Sequence, residues 1–557
     1  MNNTFALDNE IVDFIRQTST GDCYGAYLRN TLMELMAIDI SDRTTAADAD
    51  RNDANITDWL CREINDLIGQ NAVIRQIPSQ FILAEEAESA TTESCTAGRA
   101  NLKVTVPGAG SDGGSGLILH AHIDQAAPAL PPRSAGERVF GRGICEGQAQ
   151  FALLLAQIKL LAEIENKLGR KPTRERVYQF TIGGYCPEND APSNATDEDD
   201  AAFPVLLLQP TGLLPVVGQF GWLSYSCRLT STNRQQSPAL EIFPFVVEEI
   251  EKESNRLRAE SDHPSFDAAR VRHYPTCLGS FGAVTERFCP QVAIEIVAHS
   301  KANPQRIAMK IIEFLEEAMN GYVGQYGDKA AEHDSATGQA RLERHFDLRI
   351  LPDSEAQRFR IDVFGCRAGG PRLDDGDNAI GKAAYMLGAL LRIAGHFPAV
   401  QACGRLLDDG GDDRTLILRG GQCFTANHQL DEVRQRLNAA ARRGVENYCR
   451  ARRQRFEPDM IAMDWDSSSH EAFVEPTDSA AVEALRLAFQ AIGEPWPKPT
   501  AEDFGGKALA YQTRKHPVAV FGAGRPENIR WNEGYIDIPD LQKSLAISAL
   551  AAWSLIR

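Results

Sequence analysis

The segment at residues 117–124, Leu-Ile-Leu-His-Ala-His-Ile-Asp, constrains the fold of this chain more than any other. Its apolar run predicts a strand buried on both faces, since a strand with one solvated face alternates apolar and polar residues. The strand delivers a His-x-Asp pair, His122 and Asp124. A second segment at residues 141–148, Gly-Arg-Gly-Ile-Cys-Glu-Gly-Gln, follows it and contains Glu146. Together the two segments indicate an active-site scaffold with candidate metal ligands.

In residues 1–216 and 456–557, the sequence pattern predicts helices that alternate with buried strands. Apolar residues at three- and four-residue spacing predict the helices, and short apolar runs predict the strands. The predicted helices lie at 9–17, 24–36, 56–69, 148–168, 480–492 and 538–556, and the predicted strands at 102–106, 117–122, 177–182, 205–208 and 518–521. This alternation favours an α/β sheet with helices on both faces.

Residues 217–455 follow a different rhythm, in which one order of elements occurs twice. Each run predicts a strand, a helix, two strands and a second helix, which indicates an α+β unit. A repeated order of elements indicates a duplicated unit. We therefore expect 1–216 and 456–557 to be two parts of one α/β domain, with 217–340 and 341–455 as two α+β units inserted between them.

The two motifs resemble those of the zinc-dependent family of aminoacylases, acetylornithine deacetylases, succinyl-diaminopimelate desuccinylases and carboxypeptidases G. The resemblance spans residues 25–550 in the right order. It implies a catalytic α/β domain with a mixed sheet between helices, interrupted by a smaller α+β lid domain. The two consecutive units resemble the doubled lid of monomeric dipeptidases in that family. The resemblance therefore implies a monomer, with a homodimer as the alternative.

The resemblance assigns metal-binding roles to the first two motifs. His122 would bind zinc, and Asp124 would be the catalytic residue that orients it. Glu146 stands where the family has an aspartate that bridges two metals. Its extra methylene displaces the carboxylate, so a ligand role and a non-ligand role both stay open. His120 lies on the same strand face as His122 and would be either a substitute ligand or a buried histidine with protein partners.

At other positions of the family's metal site, this chain has a different type of residue. Glu188 is the acid nearest to the catalytic Glu-Glu pair, and it would be the general base or a solvated loop carboxylate. Gln209 replaces an acidic ligand, and a neutral amide binds zinc much more weakly than a carboxylate. Arg530 stands near the family's C-terminal histidine, where its guanidinium would repel a cation. Gly369 occupies the position at which the family has a histidine in its lid domain. We therefore expect the dinuclear zinc site to be lost and no metal cofactor to be needed.

Further residues extend the candidate site toward a substrate. Asp503 lies in a segment that matches a family substrate loop, and Gly524 belongs to a Gly-Ala-Gly segment that reproduces a family turn. Arg349, in an Asp-x-Arg segment, resembles an arginine that binds a substrate carboxylate. Without metal, Arg530 and Gln209 would join a hydrogen-bonding site for an amino-acid or carboxylate ligand. The expected partner is therefore a small amino-acid or peptide-like molecule.

The resemblance implies chemistry at an amide bond of an amino-acid or short-peptide-like molecule. The first hypothesis is a metal-independent repurposed enzyme or a binding pseudoenzyme. Cys145 would then be a candidate nucleophile if a nearby cation lowered its pKa. The alternative is an active zinc-dependent dipeptidase or deacylase, with one metal held by His122, Glu146 and a further ligand. A third hypothesis is a purely structural role.

Charge and composition exclude other partners. The chain has 557 residues and a formal net charge of −18, whereas nucleic acids and anionic membranes attract clustered Lys and Arg. The N-terminal residues lack a basic segment followed by an apolar core, and no apolar run is long enough to cross a bilayer. Twelve cysteines lie without a Cys-x-x-Cys pair, which suits a reducing compartment. We expect a cytoplasmic protein with no nucleic-acid or membrane partner.

Overall fold

The structure is a computed structural model that describes residues 7–38, 46–69, 72–78, 100–110, 116–123, 132–141, 143–182, 203–231, 239–278, 289–298, 303–331, 342–352, 357–366, 376–393, 400–401, 414–466, 469–502, 507–526 and 534–557. In this part of the chain, no helix has both the length and the apolar composition to cross a membrane.

Helices and strands are numbered along the chain. The helices are α1 (Asn9–Ser19), α2 (Asp22–Ala37), α3 (Ala46–Ile68), α4 (Ala149–Leu168), α5 (Phe243–Glu260), α6 (Pro304–Tyr326), α7 (Ala379–Ile393), α8 (Leu430–Arg452), α9 (Ala480–Ala491), α10 (Lys507–Thr513) and α11 (Ile538–Ile556). The strands are β1 (Val73–Pro78), β2 (Ala100–Val106), β3 (Gly116–Ile123), β4 (Arg133–Ala135), β5 (Arg138–Phe140), β6 (Glu175–Ile182), β7 (Val205–Leu207), β8 (Val216–Gln219), β9 (Gly221–Thr230), β10 (His273–Leu278), β11 (Gln291–Ala298), β12 (Phe346–Leu351), β13 (Gln357–Phe364), β14 (Val400–Gln401), β15 (Thr415–Phe424), β16 (Ile461–Trp465), β17 (Phe473–Val474), β18 (Thr500–Glu502), β19 (Val518–Val520) and β20 (Tyr535–Asp537).

The chain forms two compact bodies. The first body comprises Met1–Gln219 and Phe473–Arg557, and the second comprises Phe220–Ala472. The second body is therefore an insertion between two segments of the first. The finer boundaries at 216, 340 and 455 stay predictions.

The first body is built on a mixed nine-stranded sheet. Its centre is parallel: β3 lies between β6 and β7, and β19 lies beside β7. Antiparallel strands extend it on both sides, with β2 and β1 beyond β6, and β8 and β17 beyond β19. β18 adds a parallel partner to β8, and a separate three-stranded sheet joins β20, β5 and β4. The mixed sheet expected from the family resemblance is confirmed.

Strand β3 is buried on both faces because each face belongs to a separate apolar core. Leu117 and Leu119 join the large core that includes helices α4 and α11. Ile118 points to the other face and joins a smaller core with Tyr511 of α10. Burying an aliphatic side chain contributes about 1.5–3 kcal/mol, so the two cores together fix the strand. The predicted buried strand is confirmed, and described helices cover both faces of the sheet, although α10 on the second face was not among the predicted helices.

Helix α4 connects the central strands β3 and β6. Its residues are buried on nearly all sides, which explains its almost entirely apolar sequence. It ends where Gly169 adopts a left-handed conformation with φ +65°, which glycine reaches without steric cost. The helix predicted at 148–168 is confirmed.

The second body contains two α+β units, each with a four-stranded antiparallel sheet. Unit A has the strand order β10-β15-β9-β16, and helices α5 and α8 pack on it. Unit B has the strand order β12-β13-β11-β14, and helices α6 and α7 pack on it. The duplicated α+β architecture expected for the lid is therefore present.

The two units do not follow each other along the chain. Residues 217–340 supply β9 and β10 to unit A but β11 to unit B, and residues 341–455 also contribute strands to both sheets. Unit B is thus inserted between β10 and β15 of unit A. Sequence order shows that elements repeat, but cross-strand hydrogen bonds decide which strands share a sheet.

A buried ion pair anchors helix α7 in unit B. Lys382 is fully buried, and its ammonium group donates to the Phe364 carbonyl at 2.8 Å and to His345 Nδ1 at 3.0 Å. It also forms an ion pair with the Asp377 carboxylate. Tyr322 donates its hydroxyl to the other oxygen of Asp377 at 3.2 Å. Burial lowers the pKa of Lys382, and Asp377 opposes that shift. Two hydrogen-bond acceptors and one ion-pair partner surround the ammonium group, so it is held as a structural cation.

Removing the cation should destabilise the second body strongly. Lys382→Met leaves the Asp377 carboxylate buried without its counter-charge, so we expect a loss of about 3–5 kcal/mol. The double variant Lys382→Met/Asp377→Asn removes both charges and should be more stable than Lys382→Met alone. Hydrogen exchange of the α7 amides measures both effects.

Lys252→Met is the matched control, because Lys252 forms half-exposed ion pairs on α5. Its cost should stay within about 0.5 kcal/mol. Equal losses for Lys252→Met and Lys382→Met would contradict the assignment of a structural cation.

Candidate active site

His122 lies at the carboxyl end of the central parallel strand. It is the penultimate residue of β3, its side chain is 7% exposed, and its register partner on β6 is Thr181. Carboxyl ends of parallel strands form one edge of a sheet, and ligands bind at that edge in open α/β folds. The structure therefore places His122 where an α/β enzyme carries its chemistry.

His120 forms a buried hydrogen-bond network below His122. Its Nε2 lies 2.8 Å from Thr181 Oγ1, and its Nδ1 lies 3.0 Å from the Tyr511 hydroxyl oxygen. Tyr511 donates its single hydroxyl hydrogen to Gln179 Oε1. His120 Nδ1–H must then donate to Tyr511, and Thr181 must donate to Nε2. Both ring nitrogens of His120 have protein partners. This supports the role of a buried histidine for His120 and does not support the role of a substitute metal ligand.

Gln209 stands at the end of the neighbouring strand. His120 is the register partner of Leu207 on β7, and Leu208 N–H donates to the His120 carbonyl at 2.7 Å. Gln209 and His122 each lie two residues beyond that pair, at the same edge of the sheet. Gln209 is 8% exposed, so its carboxamide belongs to the interior of the site.

Two turns hold Gln209 in place. Thr211 Oγ1 donates to the Gly522 carbonyl at 3.2 Å and accepts from Gly522 N–H at 3.1 Å, while Gly212 N–H donates to the Gly524 carbonyl at 2.8 Å. A Cβ at Gly522 would lie 2.2 Å from the Gln209 carbonyl oxygen. The turn at residues 521–524 can approach Gln209 this closely because it lacks side chains at that point.

Gly524 is required both for its conformation and for its packing. Its φ of +95° lies in the region that favours glycine. A Cβ there would lie 3.1 Å from Ile536 Cδ1, 3.3 Å from Pro210 Cβ and 3.4 Å from Cys145 Cβ. The predicted site glycine therefore closes the turn beside Cys145, and its role in substrate binding stays a prediction.

Cys145 lies in the π-helical turn Ile144–Gln148 that precedes α4. It is fully buried, and its thiol donates to the Tyr535 carbonyl at 2.8 Å. Gln150 donates to the carbonyls of Cys145 at 3.0 Å and Ala523 at 2.8 Å, which ties this turn to the one that carries Gly524. A carbonyl acceptor favours the protonated thiol, whereas a nucleophilic cysteine needs a stabilised thiolate. The nucleophile role of Cys145 stays a prediction that this contact does not favour.

Several predicted site residues lie outside the described residues. These are Asp124, Glu188, Gly369, Asp503 and Arg530. Their roles stay predictions.

The backbone of Glu146 is described, but its side chain is not. The π-helical turn packs on the end of β3, because a Cβ at Gly147 would lie 2.6 Å from Ile123 Cγ1. Gly147, the residue after Glu146, therefore lies against Ile123 at the end of strand β3, which also carries His122.

Arg349 lies on β12 of unit B, in the second body. Its Nε is 3.4 Å from Asp347 Oδ2 and 3.8 Å from Asp362 Oδ2, and 60% of its side chain is exposed. Asp362 is also held by Arg360 at 2.8 Å. Arg349 is therefore partly neutralised, and binding of a substrate carboxylate stays a prediction.

The described part of the chain holds one group of three side chains spaced to bind a metal, and it is not at His122. The group is Glu260, His428 and Glu432, in unit A. Arg436 already lies between these carboxylates, with Nη1 2.6 Å from Glu260 Oε2 and 3.1 Å from Glu432 Oε1. Hydrogen bonds to Glu260 and the other acids raise the pKa of Arg436, so the guanidinium is a permanent cation. A divalent ion would have to displace it.

Sequence reasoning missed the network below His122. The pattern of alternate polar residues, His120 on β3 with Gln179 and Thr181 on β6, was a signal in the sequence, because residues two apart share a strand face. Tyr511 gave no such signal. It lies far along the chain on the short helix α10, and only the fold brings it to β3.

Comparison with solved structures finds peptidases that are similar to this chain in fold over nearly its whole length. Human carnosine dipeptidase 1 superposes with a TM-score of 0.51 and 9% sequence identity, covering 98% of this chain and 99% of that one. The dipeptidase Dug1p of Saccharomyces cerevisiae gives a TM-score of 0.50 at 9% identity, covering 98% of each chain. The aminopeptidase PepT of Bacillus cereus gives 0.46 at 12% identity, covering 96% and 99%.

The two dipeptidases show that this chain has their fold. No family model matches the chain, and no curated protein matches it.

The hydrogen-bond network below His122 should contribute measurably to stability. Tyr511→Phe removes the hydroxyl that donates to Gln179 and accepts from His120. Loss of a partner for a buried polar group costs about 1–3 kcal/mol. Urea unfolding of the first body should show this loss.

Tyr27→Phe is the matched control, because the Tyr27 hydroxyl donates to Glu63 at 2.8 Å in a partly buried position. Its cost should be smaller, at most about 1 kcal/mol. A Tyr511→Phe variant as stable as the wild type would contradict the network.

Proposed function

We propose that this protein binds, or acts on, an amino-acid or short-peptide-like amide compound at the carboxyl edge of the first body's sheet, without a dinuclear zinc centre. The fold shared with solved dipeptidases supports a peptidase-like or amidohydrolase-like scaffold. The altered residues at the sheet edge support the loss of the metal pair.

The observation that carries the proposal is the chemical nature of the described site residues. At the ends of β3, β7 and β19 and in the turns that follow β7 and β19, they provide one imidazole, His122, and one carboxamide, Gln209, but no carboxylate. A pair of divalent ions needs several anionic or imidazole ligands to balance its charge. The described residues by themselves do not supply such a set of ligands.

A second substitution supports the same proposal. Gln148 is 2% exposed and stands where the family motif has a lysine after its bridging aspartate. Gln209 stands where that family has an acidic ligand. The chain thus lacks both a positive and a negative charge of the family site, as expected if neutral groups replaced an ionic centre.

Buried carboxamides suit an amide ligand. Each carboxamide offers two N–H donors and one carbonyl acceptor, which match the carbonyl and N–H groups of a peptide-like molecule. Pockets of this kind use a few placed polar groups to orient the ligand within an apolar wall. In this proposal Gln209 orients the ligand, and His122 either donates a hydrogen bond to it or moves a proton.

The alternative function is that of a zinc-dependent dipeptidase or deacylase with a single metal. The observation that favours it is the packing of the Ile144–Gln148 turn on Ile123, which brings the backbone near Glu146 toward the strand end that carries His122. His122, Glu146 and one further ligand would hold the ion.

A monomeric state and a cytoplasmic location also stay predictions.

Metal analysis separates the two functions. We expect purified protein to contain far less than one zinc per chain by plasma mass spectrometry, with no loss of ligand binding after chelation. Near-stoichiometric zinc that is lost together with activity on chelation would discard the first function.

Gln209→Glu extends this test, because it restores an acidic side chain to the buried position. The new carboxylate should lower the melting temperature in the presence of a chelator, since it is desolvated without a cation. Added zinc should raise the melting temperature of Gln209→Glu more than that of the wild type.

Ligand binding has its own test. Dipeptides and N-acyl amino acids should raise the melting temperature of the wild type, and a ligand at about 100 times its Kd adds about 2.7 kcal/mol. Gln209→Leu should abolish the shift, whereas the control Lys171→Gln, at an exposed position, should keep it. Equal shifts in both variants would place the ligand elsewhere, and no shift in the wild type would favour the structural hypothesis.

A further inference from the structure

The group Glu260, His428 and Glu432 joins the end of α5 to the start of α8 in unit A. Glu260 is the last residue of α5, and α8 begins at Leu430. Each of the three side chains offers one ligand atom, and these atoms lie within 4.8 Å of one another. Exposed acidic groups often come this close without an ion. A metal site therefore needs a further feature that an ion would explain.

His428 supplies that feature, because it has a buried ring nitrogen without a hydrogen-bond partner. Only 4% of its side chain is exposed. Its Nδ1 lies 3.3 Å from Glu432 Oε1, and a carboxylate only accepts, so Nδ1 carries the proton of the neutral ring. Nε2 then presents its lone pair, and no residue in the described part of the chain forms a hydrogen bond with it.

The lone pair of His428 faces a carboxylate. His428 Nε2 lies 3.8 Å from Glu260 Oε2, and both atoms are acceptors in the neutral-ring form. Two electron-rich atoms at this distance repel each other unless a proton or a cation lies between them. Zinc–nitrogen and zinc–oxygen bonds of about 2.0–2.2 Å can span the gap at an open angle. The geometry therefore suits a bridging metal ion.

Both carboxylates of the group stay ionised. A hydrogen bond from Arg436 lowers the pKa of Glu260. Partial burial raises the pKa of Glu432, but hydrogen bonds from Arg436 and His428 outweigh it and lower that pKa. The group thus offers two anionic oxygens and one imidazole nitrogen. This ligand set suits zinc better than magnesium or calcium, which prefer oxygen ligands alone.

Arg436 occupies the group and competes with such an ion. Its Nη1 contacts Glu260 and Glu432, while its Nε donates to Glu253 Oε1 at 2.8 Å. Glu253 is buried and lies outside the group. The guanidinium therefore keeps an anchor on Glu253 if an ion takes the other two carboxylates, and the competition makes metal binding reversible.

We propose that Glu260, His428 and Glu432 bind one divalent transition-metal ion such as zinc, in competition with Arg436. His428 Nε2 and Glu260 Oε2 ligate the ion. Glu432 either ligates it or stays on His428 Nδ1 and orients the ring, as carboxylates do beside metal-binding histidines. The ion fastens the end of α5 to the start of α8. The site shares no residue with the proposed function, so the two proposals stand or fall separately.

Titration calorimetry of the metal-free full chain with zinc chloride tests the site. We expect one zinc ion to bind per chain at this group and magnesium to bind at least about tenfold more weakly. His122→Ala should keep the zinc binding, because the ion does not lie at the sheet edge of the first body. Absence of zinc binding, equal binding of magnesium, or loss of zinc binding in His122→Ala would overturn the proposal.

Variants identify the ligands and the competitor. His428→Gln and the half-exposed Glu432→Gln should each weaken zinc binding about tenfold or more, while the control His263→Gln, on the segment after α5, should keep it. Arg436→Gln removes the competing cation and should strengthen zinc binding. Its control is Arg443→Gln, because Arg443 lies two turns further along α8 and pairs with other acids. Wild-type affinity in both His428→Gln and Glu432→Gln would refute the proposal.

Hydrogen exchange of the wild-type chain locates the ion without any substitution. Zinc at ten times its Kd should slow local opening about tenfold in peptides from 257–262 and 428–437. These peptides cover the end of α5 and the start of α8. Peptides from α4, in the first body, should exchange at an unchanged rate. Bound zinc that leaves the two unit A peptides unprotected would contradict the assigned site.

Discussion

The first body depends on how β3 satisfies its polar side chains while both of its faces are buried. Apolar residues on one face join the large helical core, but the other face carries His120 and His122 at the end of the strand. His120 is compatible with this burial because Thr181 and Tyr511 occupy both of its ring nitrogens. Without these partners, an imidazole inside the sheet would carry the desolvation cost of two unsatisfied nitrogens. The network therefore allows the strand to be central and still deliver a histidine to the functional edge.

The two bodies handle buried polarity in different ways. In the first body, the described polar residues near the edge are carboxamides, hydroxyls and imidazoles, which hydrogen bonds can satisfy without a counter-charge. In unit B, Lys382 and Asp377 form a buried ion pair, and the ammonium group also donates to His345 and to the Phe364 carbonyl. The first body also holds a buried arginine, Arg176, paired with Glu165 at 2.5 Å, whereas Gln209 at its sheet edge is a neutral amide.

Much of the fold could be predicted from local patterns. The continuous apolar runs of β3 and α4 reflect burial on all sides, so their positions followed from composition alone. The duplicated α+β architecture also followed from repeated element order. The grouping of strands did not, because β11 and β10 are neighbours in sequence but belong to different sheets. Cys145 illustrates the same limit: its motif suggested reactivity, while its contact with the Tyr535 carbonyl depends on a strand far along the chain.

The sequence by itself determined the buried central strand, the α/β and α+β character of the two regions, and the residue types at the site, including an amide at Gln209. These features follow from side-chain polarity and spacing, which act over a few residues. Only the tertiary structure decided that His120 is enclosed by Tyr511, that unit B interrupts unit A, and that Tyr326 of unit B donates to Glu251 of unit A. Each of these depends on contacts between segments distant in the chain, whose energies arise only after the sheets and helices have packed.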